Sequence, residues 1–432
     1  MTDIYEIAEY TLEALKKSGA DAAQCIVSKS KKDELNVDGG KFSLMRSTFN
    51  TSISMKAIKD GKKGVTSINQ ATKEAIDEAA DQCISAAQSS VPDEAEQIAP
   101  FTAKAEYKTG VFEPELDKLF DRIEEFMSQT AAEYPKIILE QLISDYEHSE
   151  KLYMNTNGTS LKYEHGEYSF NTMFSAHEGE KASSFNGYFC ALDSLDKPFM
   201  DAGMQRQLLA ESEKQLDTVS PSEKFVGRVI YSPDCFNELL QTALENFASS
   251  GVLIDGTSPW KDALNTKVAS EKLNLRSVPL DGRTVVGQRF TSDGYPVEDM
   301  DIIIDGVLKT FILSQYGANK TGFPRSLNSG NNLEVLPGDK ALEEMISGID
   351  RGLIVNRFSG GQPSSNGDFS GVAKNSFLIE NGKVVSAVSE TMISGNIIDM
   401  LNNIVAVSKE QTTDGLSFMP WAEFDGVTVS GK

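Results

Sequence analysis

Residues 232–248 read Ser-Pro-Asp-Cys-Phe-Asn-Glu-Leu-Leu-Gln-Thr-Ala-Leu-Glu-Asn-Phe-Ala and have the pattern of one amphipathic helix. Ser232 is a typical N-cap residue, and Pro233 suits the first helical position. Apolar residues recur at helical spacing, at Phe236, Leu239, Leu240, Ala243, Leu244 and Phe247. The opposite face therefore carries polar side chains that look outward or into a cleft, namely Gln241, Thr242, Glu245 and Asn246.

On either side of this helix, helical and strand-like stretches alternate without a regular βαβ rhythm. The first half predicts helices near 4–19, 72–87, 114–134 and 201–216, strands near 23–27, 35, 51–58 and 136–192, and a loop at 91–109. Asn157-Gly158 predicts a type I′ turn, and Asp60-Gly61, Asp305-Gly306 and Asn381-Gly382 predict hairpins. The pattern as a whole indicates an α+β fold.

The chain is too long for one typical core, since its 432 residues favour two domains. The polar, proline-containing stretch Ser220-Pro221-Ser222 is the predicted boundary. We expect an N-terminal mixed domain with antiparallel strands over residues 1–219. A β-rich C-terminal domain is expected over residues 223–432.

The charge balance disfavours nucleic acid as a partner. The chain carries 41 basic and 64 acidic residues, a net charge of −23, and such a field repels phosphate. The first ten residues hold acids where a secretion signal needs a basic start, and no apolar run is long enough for a membrane span. A cytoplasmic protein is expected, with its four scattered cysteines as small buried side chains.

Familiar catalytic motifs are missing from the sequence. There is no Gly-x-Ser-x-Gly elbow and no phosphate-binding loop of the Gly-x-x-x-x-Gly-Lys-Ser/Thr type. The three histidines, His148, His165 and His177, all lie in the first half. A metal site built around them is kept as one alternative, although an exposed turn position accounts better for His177.

The glycine-rich stretch Ser359–Gly371 is the other concentrated feature. We read it as too irregular for a helix or strand and long for a turn. Exposed backbone in such a loop allows close approach of a ligand, whereas the simpler interpretation is a flexible surface loop. Its candidate ligand contacts are Gly360, Gly361, Asp368, Phe369 and Ser370.

Ordered short segments across the second half resemble the PmbA branch, also called TldE, of the TldD/PmbA family. They include Gly256-Thr257-Ser258, Val268-Ala269-Ser270, Gly367-Asp368-Phe369-Ser370 and Ser394-Gly395-Asn396. The resemblance implies an N-terminal α+β domain, a β-rich C-terminal domain and membership of a group of cytoplasmic peptidases. In that group a metal-bearing TldD subunit pairs with a metal-free TldE subunit around a channel for unfolded peptide.

Metal-bearing members of the family carry His-Glu-x-x-x-His at a place that this chain fills differently. The two histidine positions are filled by Gln241 and Asn246, and the glutamate position is filled by Thr242. No cysteine follows Cys235 to serve as the third ligand. The resemblance thus implies no catalytic residue and no metal in this chain, with zinc held by a TldD-like partner.

The expected function is therefore a non-catalytic subunit of a TldD/TldE-type metallopeptidase that acts on unfolded peptides and is inactive alone. A self-associating homodimer that binds peptide or acts as a scaffold, without catalysis, is the alternative. The family label "modulator of DNA gyrase" implies no direct contact with DNA here.

Overall fold

The computed structural model describes residues 1–221 and 223–431, and it has the expected α+β architecture. Across these described residues the strands form one eight-stranded sheet and one fourteen-stranded sheet. The first sheet lies in the first half of the chain and the second almost wholly in the second half. Helices pack on the sheets and do not alternate regularly with parallel strands, which confirms the α+β prediction.

The helices number as follows in chain order: α1 (Ile4–Lys17), α2 (Lys73–Ser89), α3 (Leu116–Glu133), α4 (Gln205–Lys214), α5 (Pro233–Ala248), α6 (Ser250–Ile254), α7 (Gln315–Thr321), α8 (Leu342–Ser347) and α9 (Ile397–Asn402). The strands of the first sheet are β1 (Ala22–Asp38), β2 (Lys41–Lys59), β3 (Lys62–Ile68), β4 (Lys104–Gly110), β5 (Ile137–Asn155), β6 (Ser160–Glu178), β7 (Lys181–Ala182) and β8 (Asn186–Leu192). Its main path runs β3-β2-β1-β5-β6-β4.

The second sheet contains β9 (Thr218–Val219), β10 (Phe225–Tyr231), β11 (Leu275–Ser277), β12 (Met300–Ile304), β13 (Val307–Leu308), β14 (Leu333–Val335), β15 (Arg351–Val355), β16 (Arg357–Gly360), β17 (Asp368–Lys374), β18 (Ser376–Glu380), β19 (Lys383–Val388), β20 (Met392–Asn396), β21 (Ile404–Thr413) and β22 (Phe418–Ser430). Strand β10 lies at its centre, antiparallel to β22 and parallel to β15.

One face of the first sheet is covered by helices. Cys25 and Val27 of β1 pack in one buried cluster with Ile76 of α2, while Leu35 joins a cluster with Phe126 of α3. Both this face and the opposite one also pack against residues of the second half of the chain. On the opposite face, Tyr153 shares a buried cluster with Phe290.

Helix α5 packs on the second sheet through the apolar face predicted for it. The ring of Phe236 meets Phe424 of β22 with centroids 5.8 Å apart, and Phe247 contacts Trp260 at 5.1 Å. The Ser232 hydroxyl accepts a hydrogen bond from the Cys235 N–H, as an N-cap residue does. Burial on one side leaves the polar side of this helix free to line a cleft.

Three strands of the first sheet differ from the sequence prediction. Strands β1 and β2 are single long strands, and the stretches that the prediction left out, residues 28–32 and 41–50, are at least partly exposed on both faces, so they lack the alternating burial that marks a strand. The predicted loop at 91–109 contains β4, which pairs in parallel with β6 from Lys104 opposite Ser160. No side chain of β4 is fully buried. Its sequence therefore does not need the alternation of strongly apolar and polar residues that predicts a strand, and it does not show it.

The hairpin turns follow the prediction with one exception. Asp60-Gly61, Asp305-Gly306 and Asn381-Gly382 all adopt positive φ at both positions, as type I′ turns require. At Asn157-Gly158 only the glycine has positive φ. The type I′ prediction is wrong there, because the side chain of Asn155 accepts hydrogen bonds from the N–H groups of Asn157 and Thr159 and shapes the turn instead.

The predicted boundary stretch falls beside the second sheet. Strand β9 pairs with β19, and Ser222 lies outside the described residues. The division into domains 1–219 and 223–432 stays a prediction. All four cysteines are buried and unpaired, as expected. Among the helices that the structure describes, none combines the length and apolar character needed to cross a bilayer.

Candidate functional site

A cleft of about 450 Å³ opens between the polar face of α5 and the hairpin of β16 and β17. Gln241, Thr242 and Glu245 line it from the helix, and the segment 358–363 lines it from the hairpin. Two regions that the sequence singled out separately therefore face each other. The arrangement is that of a groove with one helical wall and one strand wall.

A second cavity, of about 500 Å³, lies between the start of α5 and the first sheet. Asn171 and Met173 contribute from β6, while Asp234 and Glu238 contribute from the helix. Cys235 and Glu238 line both cavities, so the two spaces adjoin along one side of α5. Together they form one groove along α5, called the α5 groove below, and only the cavity beside the first sheet lies between the two halves of the chain.

The three positions compared above with a metal motif, Gln241, Thr242 and Asn246, do not all lie in this groove. Gln241 is exposed and Thr242 half-buried, and both line the cleft, whereas Asn246 is half-buried on the same helix outside the lining. The Thr242 hydroxyl donates to the Glu238 carbonyl at 2.8 Å. The Gln241 amide donates to the Asn237 side chain at 3.4 Å.

The stretch Ser359–Gly371 is more regular than the sequence suggested. Its two ends belong to β16 and β17, with Gly360 opposite Gly371, so the expectation of a wholly irregular loop is wrong. The ring of Phe358 explains why residues 360 and 371 are both glycine. An added Cβ would come within 2.7 Å of that ring at Gly360 and within 2.4 Å at Gly371. These glycines serve the packing of the hairpin, while Gly361 faces open space.

The remaining candidate peptide contacts have different environments. Phe369 is buried, and its ring meets Phe358 edge-on. Asp368 and Ser370 are exposed. Hydrogen bonds from the side chains of Asn396 and Asn366 hold the pKa of Asp368 below its ordinary value. Of the five candidates, only Gly360, Gly361 and Phe369 line the cleft.

Two carboxyl groups of α5 have altered acidity in the groove. Burial raises the pKa of Asp234 to about 6, and the neighbouring carboxylates of Asp414 and Glu238 add to the effect. Burial also raises the pKa of Glu238, which the charge of Arg357 partly opposes. Both side chains are nevertheless exposed at the groove surface, so solvent screens part of this effect. The groove wall is therefore acidic and crowded, with Arg357 as a counter-charge.

Sequence reasoning missed Asp234, Glu238 and the first-sheet residues of the groove. The spacing of Asp234, Glu238, Gln241 and Glu245 along one helical side was available in the sequence as a signal. Residues such as Asn171 and Met173 gave none, because they reach the groove only through the packing of two distant sheets.

The donor chemistry at the degenerate positions does not fit zinc. Zinc in proteins is held by thiolate, imidazole and carboxylate ligands, whereas Gln241, Thr242 and Asn246 offer neutral amides and a hydroxyl. No group of three or more His, Cys, Asp or Glu side chains placed to hold a metal ion occurs within residues 1–221 and 223–431.

The histidines have other partners in the first sheet. His148 Nε2 lies 3.1 Å from Glu164 Oε1, and His165 Nε2 lies 2.5 Å from Glu167 Oε2. His177 Nε2 lies 2.9 Å from the hydroxyl of Ser175. The three histidines lie on β5 and β6, each with a different partner, and none of them lines the α5 groove.

Two family domains match the chain. The PmbA/TldA metallopeptidase C-terminal domain matches residues 224–431, and PmbA/TldA metallopeptidase domain 1 matches residues 23–87. Metalloprotease PmbA of Escherichia coli O157:H7 is 32% identical over 155 residues, which cover 35% of this chain and 34% of that protein. The zinc metalloprotease TldD homolog of Saccharolobus solfataricus is 28% identical over 220 residues, or 47% and 49% of the two chains. The chain thus spans about half the length, or less, of these curated relatives.

Two solved structures share the fold over nearly the whole chain. TldE from Thermococcus kodakarensis has a TM-score of 0.82 at 22% identity, covering 98% of this chain and 100% of that chain. A putative modulator of DNA gyrase from Bacteroides thetaiotaomicron has a TM-score of 0.83 at 24% identity and full coverage of both chains. At such identities the likeness establishes the fold.

The matched domains and the shared two-sheet fold define a metallopeptidase-like protein. The chain belongs to the TldD/PmbA family, as its ordered short segments predicted.

Proposed function

We propose that this chain is the PmbA/TldE-like, non-catalytic subunit of a two-subunit metallopeptidase that acts on unfolded peptides. The observation that carries the proposal is the side-chain chemistry of α5. Gln241 and Thr242 face the groove with an amide and a hydroxyl, at positions where the family resemblance implies imidazole and carboxylate in metal-bearing members. Such a wall can contact a peptide, but it supplies neither a strong zinc ligand nor a general base at neutral pH.

The α5 groove supports peptide binding by its shape and lining. Two adjoining cavities of about 500 and 450 Å³ accommodate several residues of an extended chain more readily than a folded domain. Apolar contacts are available from Met173, which is 40% exposed, and Phe185, which is 54% exposed. Polar groups of Asn171 and Asn356 lie beside them and suit hydrogen bonding to a peptide backbone.

A TldD-like subunit would supply the metal and the cleaving chemistry. The family matches support this division, because one relative is named a zinc metalloprotease TldD homolog and one structural neighbour is named TldE. We place the assembly in the cytoplasm. A direct role on DNA is not part of the proposal, since a net charge of −23 opposes binding to phosphate.

A homodimer that binds peptide without catalysis is the second candidate. Residues 41–52 of β2 pair with β1 alone within the part of the chain that the structure describes, and such a free strand edge favours self-association. The two candidates differ in one respect that can be measured, which is whether a metal-bearing homologue is needed for turnover.

Reconstitution tests the proposal. The chain and a metal-bearing homologue from the same genome are purified separately, and cleavage of an unfolded fluorogenic peptide is measured for each alone and for the mixture. We expect no turnover by this chain alone, a stable one-to-one complex, and cleavage by the mixture. Full activity of the homologue without this chain, together with no complex, would refute the subunit role.

A further inference from the structure

Two carboxylates of α5 lie in the α5 groove without a direct partner. Asp234 and Glu238 are four residues apart on one side of the helix, so their Cβ atoms are neighbours about 5–6 Å apart. Both side chains are exposed and line the cavity beside the first sheet. In the described part of the chain, neither carboxylate accepts a hydrogen bond or an ion pair from another side chain. The cavity therefore holds two adjacent negative charges that no cation contacts.

The electrostatic surroundings disfavour this pair of charges. Burial and the nearby carboxylates raise the pKa of Asp234 to about 6, and burial raises the pKa of Glu238. Asp414 adds a third negative charge nearby. Arg357 is the only basic residue among the described residues that line the cavity, and its guanidinium donates to the carbonyl of Phe185 at 3.0 Å. A further positive charge between the two carboxylates would stabilise their ionised forms.

The first-sheet side of the same cavity offers apolar surface. Met173 of β6 and Phe185, which precedes β8, are large, exposed side chains in its lining. Exposed apolar side chains that lie together and are rimmed by polar groups are typical of binding grooves. The cavity thus combines an acidic helical side with an apolar side. Long basic side chains have the matching character, because an aliphatic stem carries a cationic tip.

We infer that this cavity selects extended peptides that carry a lysine or arginine side chain. The stem of that side chain packs on Met173 and Phe185, and its cationic tip lies between Asp234 and Glu238. The inference rests on the proposed function, because it names the peptides that the α5 groove binds. The two carboxylates determine specificity and take no part in cleavage. A neutral peptide enters the groove but leaves them unpaired.

A basic side chain fits this cavity better than the other charged groups of a peptide. A free amino terminus carries its charge directly on the backbone, so it has no stem that covers Met173 and Phe185. An acidic side chain would bring another carboxylate beside Asp234 and Glu238, and like charges repel. Charge complementarity and apolar contact therefore favour the same occupant.

Binding of matched peptides to the full chain tests the inference without requiring cleavage. The peptides are acetylated at the amino terminus, amidated at the carboxyl terminus and labelled with a neutral fluorophore, and they differ only in a central lysine, norleucine or glutamate. Fluorescence anisotropy gives their dissociation constants at about 0.15 M salt, where long-range attraction to the net charge of −23 is screened. We expect the lysine peptide to bind about tenfold more tightly than the norleucine peptide, because a hydrogen bond between charged groups contributes that much. The glutamate peptide should bind most weakly.

Substitutions in α5 test which side chains make this distinction. In D234N/E238Q, the lysine and norleucine peptides should bind within about twofold of each other. D234N/E238K places a cation in the cavity and should bind the glutamate peptide more tightly than the lysine peptide. E9Q/E13Q is the matched control, because it removes two exposed carboxylates with the same spacing from α1, and it should keep the wild-type preference. Thermal unfolding checks that each variant keeps the fold.

Equal affinity for the lysine and norleucine peptides would overturn the inference, and so would an unchanged lysine preference in D234N/E238Q. An equal loss of preference in E9Q/E13Q would overturn it in favour of the overall charge of the chain. Tighter binding of a norleucine peptide with a free amino terminus than of the acetylated lysine peptide would overturn it in favour of the amino terminus. Binding of no peptide would refute the peptide-binding role of the groove and the inference with it. A lysine preference without cleavage by the reconstituted pair would support the inference and refute only the subunit role.

Discussion

The ring of Phe358 meets the ring of Phe369 edge-on, with centroids 5.6 Å apart and an interplanar angle of 84°. This contact fixes the hairpin that forms one wall of the α5 groove. It also brings the Phe358 ring over Gly360 and Gly371, which lie opposite each other on β16 and β17. The shape of the groove thus depends on glycine at positions 360 and 371.

Replacing Gly371 with alanine should weaken this hairpin. A Cβ there would lie 2.4 Å from the Phe358 ring and 2.8 Å from the Gly360 Cα, so the ring or the backbone must move. Overpacking of this kind costs about 1–3 kcal/mol. Urea denaturation measures the loss. Gly361→Ala is the matched control, because nothing lies within 4 Å of its added Cβ, and it should change stability by less than about 0.5 kcal/mol.

Asp234→Asn should stabilise the protein at neutral pH but not in acid. The folded-state pKa of Asp234, about 6, lies above its ordinary value of 3.8, so folding favours the protonated form. The stability from this group is present in full below about pH 4 and is lost as the pH rises through 6. Asparagine carries no charge at any pH. The variant should therefore exceed the wild type above pH 6 and equal it near pH 4.

The size of this effect is limited because water reaches Asp234 in the groove. We expect a gain of about 0.5–1 kcal/mol at pH 7.5 after solvent screening. Urea unfolding at the two pH values measures it. Glu245→Gln, on the same side of α5, removes one charge as a comparison. A constant difference between D234N and wild type from pH 4 to 7.5 would disprove the assigned cause.

A bulky residue at Gln241 should obstruct the groove. Gln241→Trp fills the space between α5 and the hairpin without adding charge, and its exposed starting position spares the core. Peptide cleavage by the reconstituted pair should fall about tenfold or more, equivalent to a loss of about 1.4 kcal/mol in transition-state stabilisation. Gln82→Trp, at an exposed position on α2, should leave cleavage unchanged. Equal rates for the two variants would argue against a peptide path along α5.

The histidines provide a test against a different metal site. His148→Gln combined with His177→Gln removes two of the three imidazoles while leaving buried His165 in place. We expect the reconstituted pair to cleave peptide at the wild-type rate, because neither side chain lines the α5 groove. A loss of activity with an intact complex would favour a site built from these histidines.

Local patterns in the sequence were sufficient for helices α1 to α5 and most turns, but not for α6 and α7. Helix α5 shows this well, since its N-cap, apolar stripe and polar side all lie within residues 232–248. Strand β4 was not predicted from the sequence. Its side chains are at most partly buried, and each of its residues pairs with a residue of β6 that lies 56 positions later in the chain. The hairpin at Gly360 and Gly371 was not predicted. Its glycines are needed because the ring of Phe358 packs against them, and composition does not reveal that contact.

The groove itself was only half predictable. Its helical wall follows from the periodicity of α5, and its hairpin wall from the glycine-rich stretch. The first-sheet wall around Asn171 and Met173 depends on how the two sheets pack, which no local pattern encodes. Glu238 lines both adjoining cavities, although its place in the sequence marks only a polar helical position.

We propose that this chain holds no zinc of its own and needs a metal-bearing partner for cleavage. The most direct measurement is the zinc content of the chain purified alone and dialysed against excess free zinc and then metal-free buffer, read by plasma mass spectrometry together with peptide turnover. We predict far less than one zinc per chain and no cleavage. One tightly held zinc per chain with turnover, abolished by substituting Gln241 and Asn246, would contradict it.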